Sequence, residues 1–359
     1  MAEPCSYRMT CEPRRSGIHK RGAQLLVTLV ISLTLVGPAR TDGAREGSSS
    51  QPRSVAVWGG PGHAPGQFDK PGGIALGKDG SVWVADSGNS RIQHFEARGG
   101  FLGAFGEVGS GPGQLLRPTG LTIVPDGDVL VVDFQNGTCQ RFSPDGSLRK
   151  NWGQGGLAPV ELASPSDVDV DGEGRIYIVE FEAHRVTKLL PSGSLLKRWG
   201  KQGSRDGEFE YPTRIELGRD GTVYVADAYN HRIQKFDGDG EHRSTWGDRD
   251  GSDFQVSSGI ALDAMGHVLA ADFLGSRIHQ FTPDGLKIAT WGSDGDAPGR
   301  IRWPTDLAVN GSGWLYVVDF GNSRIQVLEF DPGAGGLHSL ARPASRKQGR
   351  LEGSTGDRR

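Results

Sequence analysis

The sequence contains little cysteine and methionine, with three residues of each among 359. Cys5 and Cys11 lie close to the N-terminus, so Cys139 is the only cysteine in the remainder of the chain. Because one cysteine cannot form an intramolecular disulfide, a fold held together by disulfides is excluded. Nucleophile elbows, phosphate-binding glycine loops and clusters of cysteine with histidine are also missing, and the sequence therefore contains no recognisable catalytic motif.

Long hydrophobic runs are scarce, and the one exception extends from Ala23 to Val36. It follows four basic residues between positions 14 and 21 and precedes small residues at 37–39. This order is typical of a signal peptide, and the run is shorter than the roughly 20 residues that span a bilayer. We predict that residues 1–40 are a signal peptide or, alternatively, an N-terminal membrane anchor. The protein is then exported to the periplasm or the extracellular space, and residues 23–36 contact the membrane only if they remain uncleaved.

Positive charge is concentrated at the two ends of the chain. The first 50 residues carry a net charge of +3 and residues 341–359 carry +4, so residues 51–340 carry −10 within the total of −3. Residues 41–53 have the composition of a flexible linker, and residues 334–359 that of a basic disordered tail. An acidic body is poorly suited to a phosphate backbone, and we expect no specific nucleic-acid partner.

Two sequence markers recur along the chain with the same period. The first is an aromatic residue followed by glycine, spaced by 47 residues with one interval of 45, and its aromatic members are Trp58, Phe105, Trp152, Trp199, Trp246 and Trp291. The second is an acidic residue that ends a hydrophobic run, with the members Asp86, Asp133, Glu180, Asp227, Asp272 and Asp319. Two markers with one period predict six structural units.

Each unit divides into short hydrophobic runs separated by Asp-Gly pairs. In the fourth unit these runs are residues 213–217, 223–226, 232–236 and a segment that ends at Trp246. Asp-Gly between alternating runs indicates β-hairpins, and four antiparallel strands form one propeller blade. The sixth unit ends after its third strand, and residues 54–58 provide the fourth. We predict an all-β, six-bladed β-propeller over residues 54–333, with the last blade closed by an N-terminal strand.

Two segments resemble the signature of NHL repeats, namely VADSGNSRIQ at 84–93 and VADAYNHRIQ at 225–234. Residues 66–71 resemble the usual segment before such a repeat, and the resemblance covers residues 54–330. It implies the propeller fold. It does not imply a single activity, because the family includes RNA-binding propellers, a peptide-amidating lyase and many exported bacterial propellers.

An arginine follows the acidic marker by five positions in five of the six units, which gives the pairs Asp86/Arg91, Glu180/Arg185, Asp227/Arg232, Asp272/Arg277 and Asp319/Arg324. A feature shared by nearly all blades serves what every blade needs, so we interpret these pairs as structural. The second unit has Thr138 in place of the arginine, and Asp133 therefore needs another partner.

Function is expected where the units differ. The innermost strands of the third and fourth units carry Asp167, Asp169, Arg214 and Glu216, at positions where other units mostly have small residues, and Asp306 is equivalent in the sixth. Residues just before the innermost strands also line the predicted channel mouth, namely Lys70, Arg117, Tyr211, Arg302 and Trp303. We predict a site for a protein, peptide or small-molecule ligand made by Asp167, Asp169, Arg214, Glu216, Tyr211, Asp306 and Trp303. Alternatively, Asp167 and Arg214 pair across neighbouring blades and the charges are structural.

No cofactor and no catalytic residue are predicted, although clustered carboxylates can hold a divalent cation such as Ca²⁺ or Zn²⁺. The nine histidines provide no triplet at equivalent inner positions, which a zinc lyase of the amidating type needs. The leading hypothesis is an exported scaffold for ligand or protein binding. The alternative is a divalent-metal-dependent hydrolase or lyase with its site in the channel near blades three and four.

Overall fold

The structure is a computed structural model that describes residues 52–153, 160–247 and 253–330. The described strands form six four-stranded antiparallel sheets arranged as the blades of a propeller. This confirms the predicted fold class and blade number. The predicted signal segment, the linker up to Gln51 and the basic tail lie outside the described residues. Within the described residues, no helix is long and apolar enough to span a membrane.

The first three blades follow one another along the chain. Blade 1 contains β2 (Pro71–Leu76), β3 (Val82–Asp86), β4 (Arg91–Phe95) and β5 (Phe101–Phe105). A two-residue parallel pair, β6 (Glu107–Val108) and β7 (Gln114–Leu115), then leads to blade 2, which contains β8 (Pro118–Ile123), β9 (Val129–Asp133), β10 (Thr138–Phe142) and β11 (Leu148–Gly153). Blade 3 contains β12 (Pro165–Val170), β13 (Ile176–Glu180), β14 (Arg185–Leu189) and β15 (Leu195–Trp199).

The remaining blades repeat this pattern, and the sixth is completed from the start of the propeller. Blade 4 contains β16 (Pro212–Leu217), β17 (Val223–Asp227), β18 (Arg232–Phe236) and β19 (His242–Trp246). Blade 5 contains β20 (Ser257–Leu262), β21 (Val268–Asp272), β22 (Arg277–Phe281) and β23 (Lys287–Trp291). Blade 6 contains β24 (Pro304–Val309), β25 (Trp314–Asp319), β26 (Arg324–Glu329) and β1 (Arg53–Gly59). Three 3₁₀ turns follow β3, β17 and β25, at Ser87–Asn89, Ala228–Asn230 and Phe320–Asn322.

The N-terminal strand closes the ring as predicted. β1 pairs antiparallel with β26, and Trp58 lies opposite Ile325. The strand begins at Arg53 and ends at Gly59, one residue beyond each predicted bound. Because β26 is thereby covered, the last blade has the same four strands as the others and the two ends of the propeller are fastened together.

The two faces of the propeller carry different connections. We call one the hairpin face, because it holds the tight turns between first and second strands and between third and fourth strands. The Asp-Gly glycines of these turns have positive φ, for example 81° at Gly221 and 77° at Gly240, as such turns require. We call the other the loop face. It holds the turns between second and third strands and the longer segments that lead from one blade to the next.

The hydrophobic core lies between neighbouring blades. One cluster, for example, joins Tyr177 and Val179 of blade 3 to Ile215 and Val225 of blade 4. The repeated aromatic-glycine marker contributes to this packing, because the outer-strand aromatic ring of one blade lies against the second hairpin glycine of the next. A Cβ atom at Gly240 would lie only 2.4 Å from the ring of Trp199. The aromatic marker therefore serves blade packing, and glycine is required where the ring approaches the turn.

Cys139 occupies a core position on β10 opposite Trp152. It is fully buried, and burial raises the pKa of its thiol. A buried, protonated thiol is a poor nucleophile, so Cys139 acts as a small core residue.

Candidate functional site

The centre of the ring is occupied by one arginine side chain. Arg214 extends inward from β16, and its guanidinium donates hydrogen bonds to the carbonyl oxygens of Thr119 (3.2 Å), Ser166 (3.1 Å), Thr305 (3.2 Å) and Gly72. These four carbonyls belong to blades 2, 3, 6 and 1, so one side chain from blade 4 connects five of the six blades. Arg214 stands near the start of its strand, and it fills the channel close to the loop face.

Glycines at the equivalent positions of other blades lie against the backbone of the neighbouring innermost strand. A Cβ atom at Gly120 would lie 2.6 Å from the Cα of Asp167, and one at Gly259 would lie 2.6 Å from the Cα of Asp306. The innermost strands thus approach each other too closely for a side chain at these places. Glycine at Gly120 and Gly259 is therefore a packing requirement.

Two buried aspartates flank the guanidinium. The Nη1 of Arg214 lies 3.8 Å from Oδ1 of Asp167, and its Nε lies 3.3 Å from Oδ1 of Asp306. The second oxygen of each aspartate accepts a backbone N–H from the next blade, at 3.0 Å from Ile215 for Asp167 and 2.9 Å from Ile74 for Asp306. The carboxylates thus balance the arginine and also connect neighbouring innermost strands.

A cavity of about 280 Å³ lies on the hairpin side of Arg214. Its polar lining consists largely of carboxylates, which are Asp167, Asp169, Glu216 and Asp306, and the rest is mostly apolar residues of the innermost strands. Asp169 is held by Thr122, whose hydroxyl donates to Oδ1 at 3.1 Å, and by the N–H of Leu217, which donates to Oδ2 at 2.8 Å. The structure therefore brings the four predicted acidic residues together around one cavity.

The cavity contains more acid than base. Burial raises the pKa of Asp167 to about 8, with Asp306 adding to the rise and Arg214 opposing it. Burial likewise raises the pKa of Asp169 to about 6. The pKa of Glu216 is raised well above its usual range by burial and by the three neighbouring carboxylates. Because one arginine cannot balance four carboxylates, the cavity retains protons near neutral pH.

Metal ligation has limited geometric support. In residues 52–153, 160–247 and 253–330, no group of three or more His, Cys, Asp or Glu side chains is arranged to hold a metal ion. The carboxylates of the cavity are directed toward backbone N–H groups and Arg214 instead. A divalent cation in the channel stays a prediction.

Two predicted site residues, Tyr211 and Trp303, lie apart from the acidic cavity, on the loop face. Tyr211 belongs to what we call the aromatic row, formed by Phe134, Phe181, Tyr211 and Tyr229. Neighbouring ring centroids in the row are 5.6, 4.8 and 5.3 Å apart. Tyr229 is exposed at the end of the row. The row crosses blades 2, 3 and 4.

Trp303 belongs to a second aromatic group on blades 5 and 6. The centroid of Phe273 lies 6.3 Å from that of Trp303 and 6.1 Å from that of Phe320. Sequence reasoning missed most of these rings. The signal was available, because the position directly after the acidic marker is aromatic in four of the six units, at Phe134, Phe181, Phe273 and Phe320.

A second cavity of about 350 Å³ adjoins the aromatic row. Its lining includes Phe134 together with Glu161, Glu182 and Arg185. The loop face therefore combines aromatic side chains with a polar recess between blades 2 and 3.

Comparison with known families agrees with this architecture. Residues 68–95 match the NHL repeat family, and residues 159–318 match the family described as SMP-30/Gluconolactonase/LRE-like region. The chain is a six-bladed β-propeller that contains a match to the NHL repeat. No curated protein sequence matches it.

Solved structures share the propeller fold at low sequence identity. A streptogramin B lyase is similar over 78% of this chain and 97% of its own, with 14% identity and a TM-score of 0.56. A gluconolactonase from Xanthomonas campestris is similar over 83% of this chain and 99% of its own, with 15% identity and a TM-score of 0.58. A protein of unknown function from Bacteroides thetaiotaomicron is similar over 78% of this chain and 75% of its own, with 16% identity and a TM-score of 0.60. At these identities the likeness shows the fold alone.

The repeated acid-arginine pairs of the NHL propeller lie on the loop face. The arginine Nε is 2.6–2.7 Å from a carboxylate oxygen in four pairs, which are Asp86/Arg91, Glu180/Arg185, Asp227/Arg232 and Asp319/Arg324. Asp272 and Arg277 are 4.0 Å apart. Arg232 also donates to the carbonyls of Arg205 and Glu208, so it fastens the preceding interblade segment to the blade.

In blade 2, backbone N–H groups bind Asp133 in place of the missing arginine. Both oxygens of Asp133 accept backbone N–H groups, from Leu116, Arg117, Gln135 and Asn136. Four donors satisfy the acceptor sites of a carboxylate, so Asp133 needs no arginine.

Proposed function

We propose that this NHL-repeat propeller is a binding module whose loop face holds a protein or peptide partner. The observation that carries the proposal is the aromatic row, because it crosses three blades and its Tyr211 and Tyr229 come from positions that differ between blades. Ring size, partial exposure and rigidity are the properties that make aromatic residues contribute strongly to interfaces.

The central channel is less suited to a partner. The guanidinium of Arg214 is engaged by carbonyl oxygens of four blades, and it fills the channel near the loop face. The aspartates beside it already accept backbone hydrogen bonds. By contrast, the recess beside Phe134 and the aromatic row lie at one surface and can be contacted together.

We also propose that binding takes place outside the cytoplasm. The basic residues, the apolar run at 23–36 and the small residues behind it support export of the chain. Export is consistent with the acidic charge of the propeller, because that charge disfavours binding to nucleic acid.

The function can be tested by partner capture with matched surface variants. Tyr229→Ser removes the exposed ring from the loop face, and Leu286→Ser removes an exposed apolar side chain from the hairpin face. Quantitative mass spectrometry of envelope extracts should recover the same partner with the wild-type protein and with Leu286→Ser, and much less of it with Tyr229→Ser. The proposal is contradicted if both variants recover the partner equally. It is also contradicted if the wild-type protein recovers no protein in larger amount than an unrelated propeller does.

A second candidate is a hydrolase or lyase that uses the acidic cavity. Raised pKa values of buried carboxyl groups, such as those of Asp167 and Glu216, are a property of general acids. Metal analysis of the purified protein and its thermal stability with added Ca²⁺ or Zn²⁺ test the metal-dependent form. Absence of bound metal together with unchanged melting temperatures removes the metal-dependent form of this candidate.

A further inference from the structure

Arg117 differs from the structural arginines of the propeller. It lies just before β8 on the loop face, half-buried, with its guanidinium carbon 5.2 Å from the ring centroid of Phe134. Among the described residues, no acceptor receives a hydrogen bond from its side chain, whereas Arg91 donates four such bonds to Asp86 and to nearby carbonyls. The guanidinium of Arg117 therefore stacks on Phe134 of the aromatic row, and its N–H donors have no acceptor among the described residues.

The nearby carboxylate does not satisfy Arg117. Asp133 already accepts four backbone N–H groups, so its acceptor sites are filled. Burial lowers the pKa of Arg117, and the charge of Asp133 opposes this shift without reversing it. Half-burying a guanidinium without an acceptor costs stability, and a folded protein tolerates such a cost mainly at functional positions.

We propose that Arg117 binds a carboxylate of the partner while the adjacent aromatic row binds a neighbouring aromatic or aliphatic side chain. The proposal rests on the binding function assigned to the loop face above. A guanidinium stacked on a ring keeps its N–H edge free, and that edge matches the two oxygens of a carboxylate. The partner segment is thus a peptide with an acidic residue beside an apolar one.

The charge of the loop face favours a single carboxylate over a polyanion. The positions equivalent to Arg117 in the other blades are Lys70, Ser164, Tyr211, Val256 and Trp303. Among these positions only Lys70 adds a second cation, and the nearby recess is lined by Glu161 and Glu182 together with Arg185. Proteins bind phosphate backbones with rows of Lys and Arg side chains. The net charge of −10 on residues 51–340 disfavours such a ligand.

A random-peptide display library selected on the immobilised full-length protein tests this proposal. We expect selected peptides to carry Asp or Glu beside an aromatic or aliphatic residue. A synthetic peptide of that consensus should bind Arg117→Gln about tenfold to a hundredfold more weakly than wild type, in calorimetry. Arg117→Lys should also bind more weakly, because a lysine cannot form the two parallel bonds. Arg243→Gln, on an exposed cation of an outer strand, should bind within about twofold of wild type.

The same peptide with its carboxylate replaced by a carboxamide provides the matching half of a double-mutant cycle. The replacement should weaken binding to wild type strongly and binding to Arg117→Gln hardly at all. If the losses of binding free energy from the two changes are additive, Arg117 does not contact the peptide carboxylate directly. Phosphopeptides that bind better than carboxylate peptides contradict the assigned ligand class.

Stability separates a binding role from a structural one. The melting temperature of Arg117→Gln should equal or exceed that of wild type, whereas that of Arg232→Gln should fall by several degrees because Arg232 is a buried structural residue. A large fall for Arg117→Gln overturns the proposal. Peptides that bind through Tyr229 but independently of Arg117 overturn this inference alone and leave the loop-face function standing. Failure to select any peptide contradicts both.

Discussion

At the scale of single residues, Arg214 has the widest influence on the propeller. One side chain satisfies carbonyl oxygens on four other blades and balances Asp167 and Asp306. Its charge is buried, yet it is surrounded by acceptors, which is the condition under which a buried ion pair is tolerated. The centre of the ring is therefore a polar network in which Arg214 and the groups that bind it stabilise one another.

Replacement of Arg214 by methionine should strongly destabilise the protein. The variant removes the buried cation beside Asp306 and Asp167 and leaves carbonyl oxygens of four blades without a donor, and breaking such a buried charged network costs about 3–5 kcal/mol in the free energy of unfolding. Urea denaturation measures this value. Arg243→Met, which removes an arginine of an exposed ion pair, serves as the control and should change stability by less than about 0.5 kcal/mol. Equal stability of both variants contradicts the central role of Arg214.

The raised pKa values of the cavity predict how stability depends on pH. The folded-state pKa is about 8 for Asp167 and about 6 for Asp169, against about 4 for an unfolded aspartate. Because folding favours the protonated form, this stabilising contribution is present below pH 4 and is lost as pH rises toward 8. Melting temperatures of wild type and Asp167→Asn, compared between pH 4 and pH 9, should show the smaller decline in the variant. Parallel curves contradict the raised pKa of Asp167.

At the scale of elements, the closing strand β1 has the greatest consequence. Trp58 on this strand packs against Phe95, at 4.5 Å between ring centroids, and against Phe68, at 6.1 Å. Phe68 and Phe95 belong to the first repeat, whereas β26, which pairs with β1, belongs to the last. The strand therefore connects the two ends of the ring by backbone pairing and by aromatic packing.

Removal of the Trp58 ring should weaken the closure of the ring. We expect Trp58→Ala to lower the free energy of unfolding by about 2–4 kcal/mol, since the ring is partly buried among aromatic neighbours. Val57→Ala, on the exposed side of the same strand, should change it by less than about 1 kcal/mol. Chemical denaturation followed by tryptophan fluorescence and circular dichroism measures both. Equal effects at the two positions show that the strand is not fastened by its inward side chain.

At the scale of the whole molecule, the propeller presents a hairpin face of repeated turns and a loop face that differs from blade to blade. The repeats give the scaffold its stability, because each blade buries its core against the next. The residues that we single out as departures from the repeat lie on the loop face and on the innermost strands. This division explains why the candidate surface lies where the repeat pattern is broken.

Export can be tested on the whole chain. We expect the mature protein in the extracytoplasmic fraction, with an intact mass that lacks most of residues 1–40. A variant with charged residues placed within 23–36 should stay in the cytoplasm, because the apolar run no longer engages the export machinery. A full-length mass in the membrane fraction favours the retained anchor, and a wild-type protein in the cytoplasm contradicts both alternatives.

Much of the fold follows from the sequence alone. The blade number, the strands of the fourth unit and the closing strand could be predicted, because they follow from the repeat of about 47 residues, its turn residues and its alternation. The cavity acids Asp167, Asp169 and Glu216 could also be recognised, since they depart from their own repeat. Phe134 and Phe181 were not recognised, although the position after the acidic marker is aromatic in four units, because sequence spacing does not show that rings of neighbouring blades meet.

Only the tertiary structure determined what these residues do. Ring closure brings the carbonyls of Gly72, Thr119 and Thr305 to Arg214, across sequence separations of 91–142 residues that no local pattern encodes. It separates Tyr211 and Trp303 from the acidic cavity, since side-chain direction depends on where each loop lies. It also fills the acceptors of Asp133 and leaves Arg117 without one among the described residues. The physical reason is that sequence spacing specifies the repeating unit, whereas the meeting of six units at one axis specifies the contacts between them.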